Sequence, residues 1–401
     1  MNLVGGYPFW LLKSGLLYNY PALERSVKTD VVIIGGGISG ALTAYHLINA
    51  GVKCIIVDAR TIGLGSTCAS TSLLQYELDL PICKLKNKVG LQNAVTAYKL
   101  GEKAIVSLIE IDKDIRSNEL QRKKSLYYAA NKKHTEILKE EVILRKQNGF
   151  KVDYLNKDEA AKQFDINVPG ALLTKYAAQT DAYKFTHSLH QASKREGLEI
   201  YDRTCVISII EDKRSFILTT ENGCKIKSKR VVYANGYEAT THLDKNIVDL
   251  YSTYATVSQQ FPSTFNFWKD DVLIWNSADP YLYMRTTNDK RIIVGGRDVE
   301  FIQPLKRDAL LRRKTILLKN DFRKLFPAIP FKDEFSWTGV FASTKDGLPF
   351  IGEIKGKPNQ FFALGFGGNG IVFSQVAAKI ITDFITKGKS KHGKLFSFDR
   401  I

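Results

Sequence analysis

The stretch Val31-Val-Ile-Ile-Gly35-Gly-Gly37-Ile-Ser-Gly40-Ala41 decides the fold of this 401-residue chain. An apolar run leads directly into Gly-x-Gly-x-x-Gly, a spacing typical of a strand, a tight turn and a helix. Gly35 permits the turn, Gly37 lets a pyrophosphate approach the backbone, and Gly40 lets the helix pack against the strand. The stretch therefore predicts a βαβ unit that binds a dinucleotide at the N-terminus of its helix.

A second apolar strand, Cys54–Val57, ends at Asp58. This acid lies about 20 residues beyond the glycines, the usual spacing for a carboxylate on a ribose hydroxyl. Both strands, the helix and the acid together indicate a dinucleotide site rather than a bare glycine turn. They do not separate FAD from NAD.

Three later stretches favour FAD. Gly63–Leu74 is rich in small hydroxyl residues, and its backbone could run under a flavin and its phosphates. Val231–Gly236 is a strand that ends in small residues. Phe362–Ile371 is a glycine-rich turn that opens a helix, whose N-terminus could stabilise negative charge on a reduced flavin.

With these motifs the chain resembles the D-amino-acid oxidase-type (glycine/sarcosine oxidase-like) family of FAD-dependent oxidoreductases, from about residue 18 to residue 384. The resemblance rests on several motifs together: Gly35–Gly40, Gly65–Leu74, Ala234–Gly236, Trp337–Gly352 and Phe366–Gly370.

The resemblance implies an α/β fold in which a Rossmann-like FAD-binding domain carries a second, antiparallel-sheet substrate domain. Residues 1–80, 151–240 and 335–401 are predicted to form the discontinuous FAD-binding domain. Residues 81–150 and 241–334 are predicted to form the substrate domain.

The motifs also predict which residues bind FAD. They are Gly35, Gly37, Ile38, Ser39, Gly40, Asp58, Ala59, Arg60, Gly65, Ser66, Thr67, Ala69, Ser70, Thr71, Ser72, Leu73, Val206, Ala234, Asn235, Gly236, Gly367, Gly368, Asn369, Gly370 and Ile371.

The family's reaction is oxidation of a carbon–nitrogen bond in a small amine or amino acid, by hydride transfer to flavin N5 and hydrolysis of the imine. Electrons then pass to O2 or another acceptor, and the cofactor carries the hard chemistry. For the substrate we consider Tyr281, Tyr283 and Arg285, which share one face of a predicted strand. Their aromatic rings and guanidinium could bind the substrate, or the face could be purely structural. Tyr254 is a weaker candidate.

Phe341 departs from the family pattern. Amino-acid oxidases of this family carry a carboxylate-binding arginine at that position, so the departure weakens the case for an α-amino-acid substrate. Lys345 could supply the missing charge or lie near the flavin, and is therefore a candidate catalytic residue; an exposed loop lysine is the alternative. Cys68 is interpreted as a packed thiol, with a covalent flavin link as the lesser alternative.

The formal charge of +17 leaves other functions open. A tRNA-modifying flavoenzyme that acts on a modified uridine would benefit from it, but no basic and aromatic RNA-binding module is evident, so nucleic acid is not the expected partner. An NAD-dependent dehydrogenase and a non-catalytic flavin-binding protein are further alternatives.

Five cysteines without a C-x-x-C pair argue against a disulfide framework or a zinc site and favour the cytoplasm. No metal site is predicted, and His187 and His190 are interpreted as ordinary helix side chains. No run of 18 apolar residues occurs, so no membrane span is expected.

Overall fold

A computed structural model describes residues 3–243 and 247–400, which form two β-sheets with helices packed around them. The strands are β1 (Val4–Gly6), β2 (Val27–Ile34), β3 (Cys54–Val57), β4 (Leu73–Gln75), β5 (Gln121–Tyr128), β6 (Val152–Asn156), β7 (Gly170–Gln179), β8 (Glu199–Tyr201), β9 (Val206–Asp212), β10 (Ser215–Thr220), β11 (Lys225–Tyr233), β12 (Val248–Ser258), β13 (Leu273–Asn276), β14 (Leu282–Thr286), β15 (Ile292–Glu300), β16 (Asp333–Thr344), β17 (Phe350–Ile354) and β18 (Lys357–Leu364). The helices are α1 (Phe9–Ser14), α2 (Ile38–Asn49), α3 (Ser66–Ala69), α4 (Ile82–Val89), α5 (Leu91–Asp114), α6 (His134–Gln147), α7 (Lys157–Phe164), α8 (Ala182–Arg195), α9 (Pro304–Ala309), α10 (Leu311–Leu325) and α11 (Gly370–Lys387).

The apolar strand β2 lies inside an eight-stranded sheet of order β17-β18-β11-β2-β3-β8, which β9 and β10 extend from β11. β2 is parallel to both β3 and β11. In this register Ile34 lies beside Val57 on one side and Tyr233 on the other. The loops that follow these three strands therefore leave the sheet at one common edge, where open α/β sheets bind ligands.

Alternate residues of β2 pack on opposite faces of this sheet, as the pleat requires. Val31 and Ile33 are buried in the core that contains α2, α8 and α11. Val32 points to the other face, where it packs in a separate core with Phe216 and Phe362. Both faces are apolar because helices cover one and the β9–β10 extension covers the other.

The ten-stranded sheet has the order β1-β16-β12-β15-β14-β13-β5-β7-β4, and β6 pairs with β7. Its ladders are antiparallel except the parallel pair of β13 and β5. Helix α10 packs against β12, β15 and β16 and buries Leu318 and Phe322 there. The predicted fold class, a Rossmann-like sheet joined to an antiparallel sheet, is confirmed.

Strand pairing groups some segments differently from the predicted domain division. β1, β4, β6, β7 and β16 all pair in the ten-stranded sheet, although most of their residues fall in ranges assigned to the FAD-binding domain. The division by residue number stays a prediction.

Within residues 3–243 and 247–400, none of the helices combines the length and the apolar character needed to cross a membrane.

Candidate active site

A cavity of about 1200 Å³ is lined by the carboxyl ends of β2, β3 and β11 and by residues of the ten-stranded sheet. Sites for a single small ligand measure roughly 300–1,000 Å³. The cavity is therefore large enough for a dinucleotide and a small substrate together. One end holds the glycine turn and Asp58, and we call it the nucleotide end; the other holds Tyr281 and Tyr283, and we call it the substrate end.

The glycine turn has the geometry that its sequence predicts. Gly35 has φ +109°, and a Cβ there would lie 2.5 Å from the carbonyl oxygen of Ala234. A Cβ at Gly40 would overlap the carbonyl oxygen of Gly35. A side chain at Gly40 would therefore separate α2 from the end of β2, and one at Gly35 would push the turn away from the residues that follow β11.

His190 supports this turn from α8, a role that sequence reasoning missed. Its Nε2 lies 2.8 Å from the carbonyl oxygen of Gly36. Burial lowers the pKa of His190 to about 4, so the ring is neutral and Nε2 is the donor. The spacing of His187 and His190 indicated only a helix, because the contact of His190 with the turn depends on the packing of α8 against α2.

Asp58 closes the turn on its other side. Its Oδ2 accepts a hydrogen bond from the Gly36 N–H at 2.7 Å, and its Oδ1 accepts one from the Arg60 N–H at 2.9 Å. Each carboxylate oxygen can accept a further bond. Asp58 lines the cavity, and burial raises the pKa of its carboxyl group. Arg60 itself forms an ion pair with Glu238.

Hydroxyl groups link the helices around the predicted phosphate site. The Thr67 hydroxyl oxygen accepts a bond from the Ile38 N–H at 3.1 Å, at the start of α2. The Ser39 and Ser374 hydroxyls lie 2.6 Å apart and join α2 to α11. Two helices that are 335 residues apart in sequence thus meet at this part of the cavity.

The segment from Ala69 to Ser72, which we call the cradle segment, has all four of its backbone carbonyls bound by side chains from outside the cavity. The indoles of Trp337 and Trp10 donate to the carbonyls of residues 69 and 70 at 2.8 and 2.6 Å. Arg285 Nη1 donates to the carbonyls of residues 71 and 72 at 3.2 and 2.9 Å. Because these three donors do not line the cavity while the segment does, the carbonyls are held away from it.

The turn before α11 is fixed by residues that follow β4. The Asn369 side-chain amide donates to the carbonyl of Glu77. The Gly368 N–H lies 3.2 Å from both carboxylate oxygens of Asp79. Asp79 lines the cavity and is solvent-accessible there, while its enclosure by the cavity walls raises the pKa of its carboxyl group to about 6. Its position was not predicted, since no local pattern relates residue 79 to residue 368.

The substrate end is mainly aromatic. Tyr281 and Tyr283 line it with their ring centroids 5.7 Å apart, next to Trp275 and Phe341. The Tyr283 hydroxyl lies 3.2 Å from the Thr253 hydroxyl and also bonds to Thr71 of the cradle segment. Burial raises the pKa of both tyrosines, so they are neutral hydroxyl groups at pH 7.

Behind these rings lies a second carboxyl group, Asp298 on β15. It hydrogen-bonds Thr253, and its Oδ1 is buried without a partner among the described residues. Burial raises the pKa of Asp298 to about 7. Thr253 therefore connects Tyr283 in the cavity to a carboxyl group that can change protonation near neutral pH.

Most of the residues predicted from the sequence line this one cavity. They are Gly35, Gly37, Ile38, Ser39, Asp58, Ala59, Arg60, Gly65, Ser66, Thr67, Ala69, Ser70, Thr71, Ser72, Leu73, Val206, Ala234, Asn235, Gly236, Tyr283, Gly367, Gly368, Asn369, Gly370 and Ile371. Gly40 lies under the turn, where it packs α2 against β2.

Arg285 and Lys345 do not line the cavity, so this geometry does not support their catalytic role, which stays a prediction. Arg285 is buried, and its guanidinium donates to the backbone carbonyls of Thr286 and Thr180 as well as to the cradle segment. Lys345 is an exposed loop residue. Alternation along β14 placed Arg285 and Tyr283 on one face correctly, but the cavity ends before Arg285.

Cys68 also lies outside the cavity lining. It is buried, its Sγ lies 3.2 Å from the Gly65 carbonyl oxygen, and burial raises the pKa of its thiol to about 12. These facts support the interpretation as a packed thiol.

Comparison with known proteins agrees with this geometry. The family model described as "DAO: FAD dependent oxidoreductase" matches residues 30–384. The gamma-glutamylputrescine oxidoreductase of Escherichia coli is 23% identical, over 91% of this chain and 85% of its own length. A crystal structure of glycine oxidase from Geobacillus kaustophilus superposes with a TM-score of 0.78 at 19% identity and covers 93% of this chain and 99% of its own. L-amino acid deaminase from Proteus myxofaciens superposes with a TM-score of 0.79 at 17% identity, over 99% and 98% of the two chains.

The cavity fits FAD, the cofactor of that family. Ser66 Oγ and Asn235 Oδ1 are buried without a partner among the described residues, and a polar cofactor would satisfy them. Gly65, Gly236 and Gly370 line the cavity, and a Cβ at each would meet only open space. The nucleotide end would hold the adenosine and pyrophosphate, with the cradle segment and Gly367–Ile371 on the flavin.

Proposed function

Since this chain belongs to the family of FAD-dependent oxidoreductases, we propose that it oxidises a carbon–nitrogen bond of a small amine or amino acid. Bound FAD supplies the hydride acceptor. The residues of the chain bind and orient the substrate, exclude water and take up the proton that leaves the substrate nitrogen.

The aromatic substrate end is the observation that carries this proposal. The faces of tyrosine and tryptophan rings attract cations through their quadrupole. Tyr281, Tyr283 and Trp275 together surround a space in which an ammonium group or a protonated amine would be favoured. The names of the relatives agree, because glycine oxidase and gamma-glutamylputrescine oxidoreductase both take amine-bearing compounds.

Loss of hydride from the carbon requires a neutral nitrogen, so the ammonium proton must first be accepted. Tyr283 and Thr253 offer a hydroxyl path to Asp298, whose pKa of about 7 suits this exchange at neutral pH. Neutral Tyr281 and Tyr283 would orient the nitrogen by hydrogen bonds rather than remove its proton.

We propose O2 or another soluble acceptor as the oxidant that regenerates the cofactor. The cytoplasm is the proposed compartment, because all five cysteines have free thiols, three of them buried.

Anaerobic reduction of the FAD-loaded protein tests this function. N-methyl amino acids, D-amino acids and polyamines would each be mixed with the protein while flavin absorbance is followed. We expect at least one amine to bleach the flavin. The proposal is wrong if 2-hydroxy acids bleach it and every amine fails.

The variant Tyr283→Phe should slow bleaching by the reactive amine roughly 2- to 12-fold, the range for one neutral hydrogen bond. Tyr18→Phe is the matched control, because Tyr18 is 46% exposed and lies outside the cavity.

A further inference from the structure

The substrate end carries negative charge and no positive charge among the described residues. Asp79 opens into it beside Tyr281, whereas the lysine and arginine side chains that line the cavity are Arg60 and Lys357. Arg60 is paired with Glu238 at the nucleotide end. Lys357 begins β18, and Leu364 ends that strand at the substrate end, about 23 Å away at 3.3 Å per residue.

The glycines of the turn before α11 make room for Asp79. A Cβ at Gly367 would overlap its Oδ2. A Cβ at Gly368 would lie 3.0 Å from its Oδ1 and 2.5 Å from the Tyr281 hydroxyl. Asp79 and Tyr281 therefore converge on space that any larger residue at position 368 would fill.

The carboxylate of Asp79 retains capacity for a ligand. A single N–H, that of Gly368, is shared by its two oxygens at 3.2 Å. An ionised carboxylate has about four acceptor positions. The remaining ones are available to the space lined by Tyr281, Trp275 and Phe341, which no lysine or arginine enters among the described residues.

We propose that Asp79 selects the substrate by binding a positively charged group on it, so that the preferred substrates are diamines or longer polyamines rather than amines with a carboxylate. This inference rests on the proposed amine oxidation. The charged group is a second one, distinct from the reacting nitrogen, because an ammonium held by a carboxylate keeps the proton that oxidation requires it to lose.

Binding to the oxidised, FAD-loaded protein tests Asp79 without any turnover. The probe is butyltrimethylammonium, which has no nitrogen lone pair and is not oxidised; its anionic match is pentanoate. The change in the visible flavin spectrum reports binding of each. We expect the cation to bind more tightly than the anion.

In Asp79→Asn the Kd of the cation should rise about fivefold, because a quaternary ammonium donates no hydrogen bond and its ion pair with the solvent-accessible Asp79 is weak. Asp249→Asn is the matched control, since Asp249 is exposed on β12 and outside the cavity. Phe341→Arg should reverse the preference toward pentanoate, which keeps the test decisive if Asp79→Asn fails to fold. The proposal is overturned if the wild-type protein prefers pentanoate, or if folded Asp79→Asn binds the cation within twofold of wild type.

Anaerobic reduction separates this proposal from the proposed function. We expect 1,4-diaminobutane to bleach the flavin faster than 4-aminobutanoate. Bleaching by N-methylglycine but not by the diamine would uphold amine oxidation and overturn the role of Asp79. If no amine bleaches the flavin but cation binding depends on Asp79, the cation site stands and amine oxidation fails.

Discussion

Gly40 and Gly65 both serve the nucleotide end of the cavity, but a methyl group at each would meet different surroundings. At Gly40 it would overlap the Gly35 carbonyl oxygen, while at Gly65 it would project into open cavity. The first substitution strains the protein itself, and the second removes only space needed by the cofactor.

We therefore expect Gly40→Ala to lower the free energy of unfolding of the apoprotein by about 3 kcal/mol, as overpacking does. Gly65→Ala should leave that free energy unchanged and raise the Kd for FAD roughly 5- to 150-fold. Urea unfolding of the apoproteins and FAD titration followed by flavin fluorescence measure the two effects. Equal unfolding midpoints for the two variants would contradict the distinction.

Asp79 gives cation binding a pH dependence with a definite sign. Enclosure by the cavity walls raises the pKa of its carboxyl group to about 6, and only the ionised form attracts a cation. The groups that face it are Tyr281, Tyr237 and Asp298, of which the tyrosines stay neutral. The affinity for butyltrimethylammonium should be constant above about pH 7 and decline as the pH falls through 6, toward the affinity of Asp79→Asn, because protonation removes the negative charge.

Spectral titrations from pH 5 to pH 8 measure this dependence. Asp79→Asn should flatten this pH dependence. Substitution of an acid at the nucleotide end of the cavity, such as Asp58, should leave it unchanged. A profile that keeps its slope in Asp79→Asn would assign the titration to Asp298 instead.

For single residues, the sequence predicts a role where that role depends on residues nearby in the chain. Gly35 and Asp58 could be found because strand length and a spacing of about 20 residues determine where they lie. Asp79 and His190 could not, because their partners, Gly368 and Gly36, are reached only through packing of distant elements. Arg285 lies outside the cavity lining, which the sequence could not show because strand alternation gives the face of a residue but not how far the cavity extends along it.

Among the elements, β14 and the cradle segment are joined by the Arg285 guanidinium, in addition to the hydrogen bond between Tyr283 and Thr71. Arg285 Nη1 donates to three carbonyls, two in the cradle segment and that of Thr180 at 2.8 Å. The guanidinium also lies over the indole ring of Trp10, with its carbon atom 5.3 Å from the ring centroid. The arginine thus holds the cavity-lining cradle segment against the ten-stranded sheet.

Arg285→Met should leave these carbonyls unpaired and lower the free energy of unfolding of the apoprotein by about 3–5 kcal/mol. FAD affinity should fall as well, because the cradle segment loosens. Guanidinium unfolding measures the first effect, with Arg122→Met on the exposed part of β5 as the control. A variant as stable as wild type that binds FAD normally but fails to react would restore a catalytic role for Arg285.

The elements themselves were predictable to different degrees. β2, α2 and β3 follow from one local pattern of apolar residues and glycines. β5 and β7 pair with strands far away in the chain, β5 with β13 some 150 residues later. β7 alternates poorly because most of its residues are buried on both faces, and β5 changes from a polar first half to a buried second half.

For the whole molecule, the cavity is lined by residues from Leu3 to Ser374 and by both sheets. No contiguous part of the described chain contains a complete site. FAD binding and the folding of both sheets are therefore linked, since a ligand that binds only the folded state stabilises it by RT ln(1 + [L]/Kd).

At FAD 100 times above its Kd this linkage amounts to about 2.7 kcal/mol. With an unfolding entropy of about 2.1 cal/mol/K per residue, the Tm should rise by about 3 °C. Differential scanning calorimetry at increasing FAD measures the shift, and the rise of flavin fluorescence on release should coincide with the loss of ellipticity at 222 nm. The Tm of Gly65→Ala should rise by less at the same FAD concentration, because its Kd for FAD is higher. Release of flavin well below the temperature at which ellipticity is lost would contradict the linkage, because it would mean that the cavity opens while both sheets remain folded.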